Sequence, residues 1–183
     1  GGNMTFLYPM RPGLSVPNTD AGRELLPRHW WYQPKLDDER AMVHASGVYT
    51  RFGKPFDRVK LRKFEEAISV LYSALRNSVD LDEAWLDVAL IGFRKTRPPY
   101  RIVLLDIPSN LPYRERVKIP RGMIPAVFGD GGYHVTYMPE RSLGAAISLA
   151  ESLGSDCEGI IGRDPDAPYI SGESNKMIKM RWK

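Results

Sequence analysis

The sequence predicts an α+β fold with largely antiparallel sheets and a few flanking helices. Three observations indicate this class. The chain contains many short β-prone runs, only two segments have clear helical periodicity, and strands and helices do not alternate as they do in parallel sheets. Its 183 residues, 43% hydrophobic and 26% charged, suit one globular core and are short for two.

The predicted strands begin at residue 30. Residues 4–28 contain four prolines, so we expect residues 1–29 to form an irregular lead-in and residues 30–183 to form the domain. Short β-branched and aromatic runs, separated by turn residues, predict the strands. These runs are Trp30–Lys35, Arg40–Ala45, Val48–Arg51, Trp85–Ile91, Arg101–Ile107, Tyr133–Met138, Glu158–Gly162 and Met177–Trp182.

Two segments have the periodicity of amphipathic helices. In Leu61–Arg76, apolar residues recur at spacings of three and four, while charged residues lie off that stripe. Ser142–Leu153 repeats the pattern, and Gly154 follows as a helix-ending residue. Both helices are therefore expected to pack one apolar face against a sheet.

Composition narrows the class of protein only in part. The net charge of +4 and pI of about 9.2 permit a nucleic acid or nucleotide partner, but they also fit an ordinary soluble basic surface. No apolar run approaches the roughly 18–20 residues of a membrane span, and no secretory segment is visible. The single Cys157 excludes an internal disulfide. We expect a cytoplasmic or nucleoid-associated protein that is neither secreted nor membrane-bound.

The run from Gln33 to Arg40 carries the first candidate chemistry. Lys35 lies on a short apolar strand, and alternation would place Asp37 on the same face. A buried or cation-flanked lysine can lose its proton and act as a nucleophile. A surface hairpin with solvated charges explains the run equally well, so this segment alone decides nothing.

A second cluster, Thr50-Arg51-Phe52-Gly53-Lys54, follows Arg40 at a short distance along the chain. The guanidinium of Arg51 can donate to a phosphate in a planar fork, and Gly53 lets the backbone approach closely. The cluster therefore predicts a phosphate contact.

Together these residues resemble a known signature. The segment QPKLDDERAMVHASGVYTRFGKPF is similar to the opening of ATP-dependent DNA ligases, roughly Glu-x-Lys-x-Asp-Gly-x-Arg and then Ser/Thr-Arg-x-Gly. Further segments resemble the later motifs of that family in the correct order, so the likeness covers residues 30–183. They are Ala84–Leu90, Arg101–Ile107, Leu111–Arg116, Glu158–Arg163 and Met177–Arg181.

The resemblance implies a function and a set of site residues. The domain would be an ATP-grasp-like nucleotidyltransferase core in which Lys35 takes AMP from ATP as a lysyl-adenylate and passes it to a DNA 5′-phosphate. Glu158 and Asp37 would hold magnesium, and Lys179 and Arg181 would grip the α-phosphate. The nucleotide- and phosphate-binding residues implied by the likeness are Gln33, Leu36, Arg40, Arg51, Asp87, Leu105, Lys179 and Arg181.

The sequence also departs from the family pattern. Asp38 replaces the usual glycine, and Gln33 replaces a glutamate near the adenine. Ala89 stands where a glutamate is common, and Leu105 replaces an aromatic that stacks on the base. Arg181 keeps the charge of the lysine that it replaces. These differences affect nucleotide affinity more than covalent chemistry.

The expected partner is nicked duplex DNA. Ligases of this class usually continue into an oligonucleotide-binding (OB) domain, and we expect that domain to lie outside this sequence or to be supplied by a partner protein. Two alternatives stay open. One is an RNA ligase or a capping-type nucleotidyltransferase, and the other is a degenerate, non-catalytic nucleic-acid-binding domain.

Overall fold

The computed structural model describes residues 5–123, 134–138 and 140–182, which form two sheets. The first sheet has the order β1 (Met10–Pro17), β9 (Gly172–Arg181), β8 (Cys157–Arg163) and β2 (Trp31–Leu36). The second has the order β4 (Gly47–Thr50), β3 (Glu39–His44), β5 (Leu86–Ile91), β6 (Arg101–Asp106) and β7 (Val135–Tyr137). The strands pair antiparallel except β1 with β9 and β6 with β7, which confirms the predicted class.

The N-terminal segment differs from the irregular lead-in that its prolines predicted. β1 pairs in parallel with β9, from Met10 opposite Gly172 to Pro17 opposite Arg181. A short helix, α1 (Asp20–Glu24), follows it. β1 lies at the edge of its sheet. Proline has no backbone N–H, but on the open side of an edge strand that group has no partner strand, so its absence does not disturb the hydrogen bonding of the sheet. Prolines therefore did not prevent a strand here.

The helices lie close to their predicted positions. The segment predicted as one helix, Leu61–Arg76, forms a 3₁₀ turn (Arg62–Phe64) and α3 (Glu65–Leu75), and a short helix that was not predicted, α2 (Arg58–Leu61), comes before them. Two short helices, α4 (Tyr113–Arg116) and α5 (Lys118–Arg121), precede the second long one, α6 (Leu143–Ser152). None of the described helices has the length and apolar character needed to cross a membrane.

Each sheet packs one face against a long helix. The apolar face of α3, including Leu71 and Leu75, covers the second sheet, where β5 contributes Leu86, Val88 and Leu90. Helix α6 packs against the first sheet beside Tyr32 and Ile160. Because neighbouring residues of a strand point to opposite faces, Asp87 and Ala89 of β5 point away from α3. That opposite side is where the two sheets approach each other.

Candidate functional site

A cleft of about 240 Å³ lies where the two sheets meet. Strands β1, β2, β8 and β9 line one side, and β3, β5 and β6 contribute to the other. Three of the predicted site residues, Asp37, Asp87 and Arg181, are not among the lining residues. The predicted site residues that do line the cleft are Gln33, Lys35, Leu36, Arg40, Arg51, Leu105, Glu158 and Lys179.

Strand register explains why residues distant in sequence meet here. Lys35 lies opposite Gly159, which in turn lies opposite Arg181. Two residues along each strand, Gln33 lies opposite Ile161, and Ile161 lies opposite Lys179. Directly opposite residues of antiparallel strands point to the same face. The first sheet thus presents a lysine from β2 and two cations from β9 on one face.

A bulge in β8 turns Glu158 toward Lys35. Lys35 pairs with Gly159 and Leu36 pairs with Cys157, which leaves Glu158 as an extra residue. Bulges re-aim side chains in this way, often near functional sites. The bulge requires a glycine at 159, because its φ is +150° and a Cβ there would lie 2.0 Å from the carbonyl oxygen of Met180.

Glu158 is paired with two cations. The Nζ of Lys35 donates a hydrogen bond to Oε1 of Glu158, and Nη2 of Arg181 lies 3.3 Å from its Oε2. Burial raises the pKa of Glu158, but the hydrogen bond from Lys35 and the charges of Lys35 and Arg181 outweigh it, so the pKa lies below its ordinary value. Glu158 is therefore an anion at neutral pH and can serve as a hydrogen-bond acceptor or a cation ligand.

Three further cations face the cleft without a carboxylate partner. Arg11, Arg51 and Lys179 line it, and none of them forms an ion pair within the described part of the chain. The guanidinium of Arg51 lies 4.7 Å from the ring centroid of Phe52. Unpaired cations grouped in a cleft can bind the oxygens of a phosphate. Sequence reasoning missed Arg11 because its proline-rich segment gave no strand signal.

Arg40 is held by a buried carboxylate. Asp87, which is fully buried, accepts from Nε and Nη2 of Arg40 at 2.8 and 2.5 Å and from the Tyr169 hydroxyl at 2.8 Å. Nη2 of Arg40 also donates to the Met10 carbonyl at 2.9 Å. Asp87 thus fixes Arg40 against β1 and lies behind the cleft wall, although the sequence predicted a nucleotide contact for it.

The two aspartates after β2 have different partners. The alternation argument for Asp37 fails because β2 ends at Leu36, and the Asp37 carboxylate lies 3.5 Å from Arg94. Asp38, which replaces the expected glycine, accepts from the backbone N–H of Gly92 at 2.8 Å and of Arg94 at 3.3 Å. The Asp38 carboxylate therefore holds the loop after β5, which is a structural role for the residue that replaces the glycine of the family pattern.

The residues fit a magnesium ion that arrives with a nucleotide. The described residues contain no group of three or more His, Cys, Asp or Glu side chains that could hold a metal. Magnesium is commonly held by one or two carboxylates together with substrate phosphates, and it keeps several waters. Glu158 can supply such a carboxylate, whereas Asp37 does not reach the cleft lining.

Part of the cleft wall is apolar. Ala89 and Leu105 from the second sheet and Ile161 and Met177 from the first line it. Gln33, which the sequence placed near a base, donates its side-chain amide to the Met138 carbonyl. A cleft lined by apolar residues on one part and by cations on another suits a ligand that combines a flat base with phosphates.

No protein-family model matches the sequence, and no curated protein is a significant match. Solved structures do match. A Lig E DNA ligase aligns with a TM-score of 0.55 at 17% identity over 93% of this chain and 69% of its own. The ligase domain of M. tuberculosis LigD aligns with a TM-score of 0.59 at 19% identity over 96% of this chain and 59% of its own. Chlorella virus DNA ligase-adenylate aligns with a TM-score of 0.57 at 17% identity over 98% of this chain and 69% of its own.

The alignments cover nearly all of this chain but only 59–69% of those three neighbours. At this identity the likeness concerns architecture. It extends over 93–98% of this chain, in which both sheets lie. The chain therefore has the fold of the nucleotidyltransferase domain of ATP-dependent DNA ligases.

Proposed function

We propose that this chain is the adenylyltransferase core of an ATP-dependent DNA ligase and that Lys35 is its nucleophile. One observation carries the proposal: Lys35 reaches the cleft beside Glu158, and Arg11, Arg51 and Lys179 face the same cleft without carboxylate partners. Cations in that position neutralise the charge that develops on a phosphoryl group as it is transferred.

The reaction forms one bond and breaks another. Nζ of Lys35 attacks the α-phosphorus of ATP, a P–N bond forms, and the bond to the β-phosphate breaks so that pyrophosphate leaves. The attacking amine has to be uncharged. In the free protein Lys35 donates to Glu158, so Glu158 holds the amine in place and is the nearest group that can accept its proton.

Magnesium carried by the nucleotide would neutralise the phosphates and polarise the α-phosphorus. In this proposal Glu158 is its protein ligand, and the release of Glu158 from Lys35 accompanies binding. Lys179 lies two residues before Arg181 on β9, on the face that the α-phosphate would occupy. Ala89 and Leu105 would contact the base by apolar packing.

The choice of ATP and DNA rests on the structural neighbours. Mycobacterial DNA ligase D has been solved with ATP, and so has the ATP-dependent DNA ligase of bacteriophage T7. The subsequent steps, transfer of AMP to a 5′-phosphate and sealing of a nicked duplex, extend the same proposal. This chain covers 60% and 68% of the length of those two ligases.

The test is covalent labelling with ATP and magnesium. The purified protein is incubated with both, and its intact mass is measured. We expect a species heavier by one AMP in the wild type and in Lys118→Ala, a control that removes an exposed lysine outside the cleft. We expect none in Lys35→Ala, which should keep its fold because the lysine is half-buried at a cleft. An adduct that persists in Lys35→Ala would contradict the assignment.

One observation favours a non-catalytic alternative. Ala89 and Leu105 give the base side of the cleft neither a carboxylate nor an aromatic, which are common at these positions in the family that the sequence resembles. A domain that had lost chemistry would give no adduct with ATP or GTP but would still bind nucleic acid. An adduct with GTP alone would instead indicate a capping-type enzyme.

A further inference from the structure

A strip of positive charge lies beside the cleft. The segment 51–63 carries six of the chain's 26 lysines and arginines and a single carboxylate, Asp57. Lys63 is engaged, with its Nζ 3.1 Å from the Tyr100 hydroxyl. The remaining exposed cations, together with the exposed ring of Phe52, form what we call the basic strip: Arg51, Phe52, Lys54, Arg58, Lys60 and Arg62.

The backbone holds this strip outward. Phe56 and Phe64 are buried at 9% and 1% exposure and contact Phe93, so both ends of the intervening segment are pinned to the core. Between them, Asp57 caps α2 by accepting from the backbone N–H groups of Val59 and Lys60 at 2.8 and 3.1 Å. The cationic side chains of Arg58, Lys60 and Arg62 are therefore exposed on a fixed backbone.

Charges on the strip are not neutralised by the protein. No cation of the basic strip forms an ion pair within residues 5–123, 134–138 and 140–182. Asp57, the nearest carboxylate in the sequence, uses its oxygen to cap α2. A run of like charges held this close together repels itself, and a polyanion relieves that repulsion.

Phe52, the aromatic residue of the basic strip, is exposed to solvent. Phe52 is 64% exposed at the tip of the turn between β4 and α2. The turn is rigid: Thr50 N–H donates to the Lys54 carbonyl at 2.7 Å, and Gly53 has a φ of +85°. Arg51 stacks on the Phe52 ring and also lines the cleft, so the strip is continuous with the candidate active site.

We propose that the basic strip is the surface on which a nucleic-acid duplex lies as its 5′-phosphate enters the cleft. Duplex DNA carries a negative charge about every 1.7 Å of its axis, so closely spaced cations can meet successive phosphates. Phe52, beside Arg51, packs its exposed ring against the sugars of the duplex backbone, an apolar contact that does not depend on base sequence. This inference rests on the proposed function for the identity of the partner.

The test measures binding of a fluorescent duplex with a single 5′-phosphorylated nick to the full chain, across a range of salt concentrations. Lys60→Ala/Arg62→Ala is compared with Arg23→Ala/Arg76→Ala, which removes the same charge elsewhere. The strip variant should bind at least tenfold more weakly. Its slope of log affinity against log salt should be shallower by about 1.8, twice roughly 0.9 for each lost phosphate contact. Equal affinities and slopes in both variants would overturn the inference.

Phe52→Ala gives an independent readout. It should lower affinity about fivefold or more, the loss of one apolar contact, with an unchanged salt slope because no charge is removed. Wild-type affinity in this variant would refute the role of Phe52.

Covalent labelling separates the two proposals. Lys60 and Arg62 lie outside the cleft, so Lys60→Ala/Arg62→Ala should label with AMP as the wild type does. If the wild type fails to label while the strip variant still loses nucleic-acid binding, the proposed function is wrong and the docking surface stands. If the strip variant labels normally and binds the nicked duplex as tightly as the wild type, the docking surface is wrong and the proposed function stands.

Discussion

The bulge at Glu158 depends on Gly159, and substitution of that glycine tests whether the backbone conformation of the site requires it. Gly159→Ala would place a Cβ 2.0 Å from the Met180 carbonyl oxygen and 2.9 Å from the Cα of Arg181. Ordinary contact begins at 3.4 Å, so β8 and β9 would have to separate by about 1.4 Å, the difference of 3.4 and 2.0. Inter-strand hydrogen bonds tolerate only a few tenths of an ångström, so the local ladder would break.

We estimate the cost from two contributions. A non-glycine residue in so sparsely populated a conformation costs about 1–3 kcal/mol. The loss of two ladder bonds, at about 1 kcal/mol each, adds about 2 kcal/mol. The sum of about 3–5 kcal/mol is a large share of the roughly 5–15 kcal/mol by which domains are stable. The melting temperature should fall by roughly 6–20 °C for a domain of this size.

Gly144→Ala is the matched control. Gly144 lies in α6, where an added Cβ meets nothing within 4 Å. Alanine in place of a helical glycine should stabilise by about 0.5–1 kcal/mol. Urea titration followed by circular dichroism measures both free energies of unfolding. If Gly159→Ala lost less than about 1 kcal/mol, or if Gly144→Ala lost as much as Gly159→Ala, the steric reasoning would be refuted.

Three further results are expected. Asp87→Asn removes the buried carboxylate that neutralises the partly buried guanidinium of Arg40 and should cost up to about 3–5 kcal/mol in unfolding free energy, whereas exposed Asp166→Asn should cost at most about 1 kcal/mol. Arg11→Ala should weaken ATP binding roughly tenfold or more by calorimetry without lowering the melting temperature. The Glu158 pKa is depressed in the folded state, so its stabilising effect is present above the ordinary value of 4.5 and is lost as pH falls through the lower folded value. Glu158→Gln should therefore be destabilising at neutral pH, and the difference from wild type should shrink below about pH 4.5.

Sequence patterning identified the strands that are continuous apolar runs. β5 and β6 were predicted within one residue because their apolar runs are buried on both faces. The predicted strand Tyr133–Met138 is β7, although Tyr133 lies outside the described residues. β9 begins at Gly172, five residues earlier than predicted, because its first half is polar and exposed.

The sequence predicted several residues that line the cleft, whereas the geometry that brings them together could not be predicted, and the roles of these residues stay predictions. Lys35, Glu158 and Lys179 meet at one cleft, as the motif order implied. The bulge that turns Glu158 toward Lys35 depends on pairing between β2 and β8, which local sequence does not encode. Arg11 could not be found because its strand exists only through pairing with β9, more than 150 residues away.

That pairing between β1 and β9 also constrains when the cleft can form. The ribosome releases β1 more than 150 residues before β9, so β1 waits without its partner strand until β9 has been synthesised. Contacts this far apart in the chain form slowly, because a long loop has to close first. Arg11 and Lys179 therefore come together only after β9 has paired with β1, and a nascent chain that has not reached β9 carries no assembled anion site.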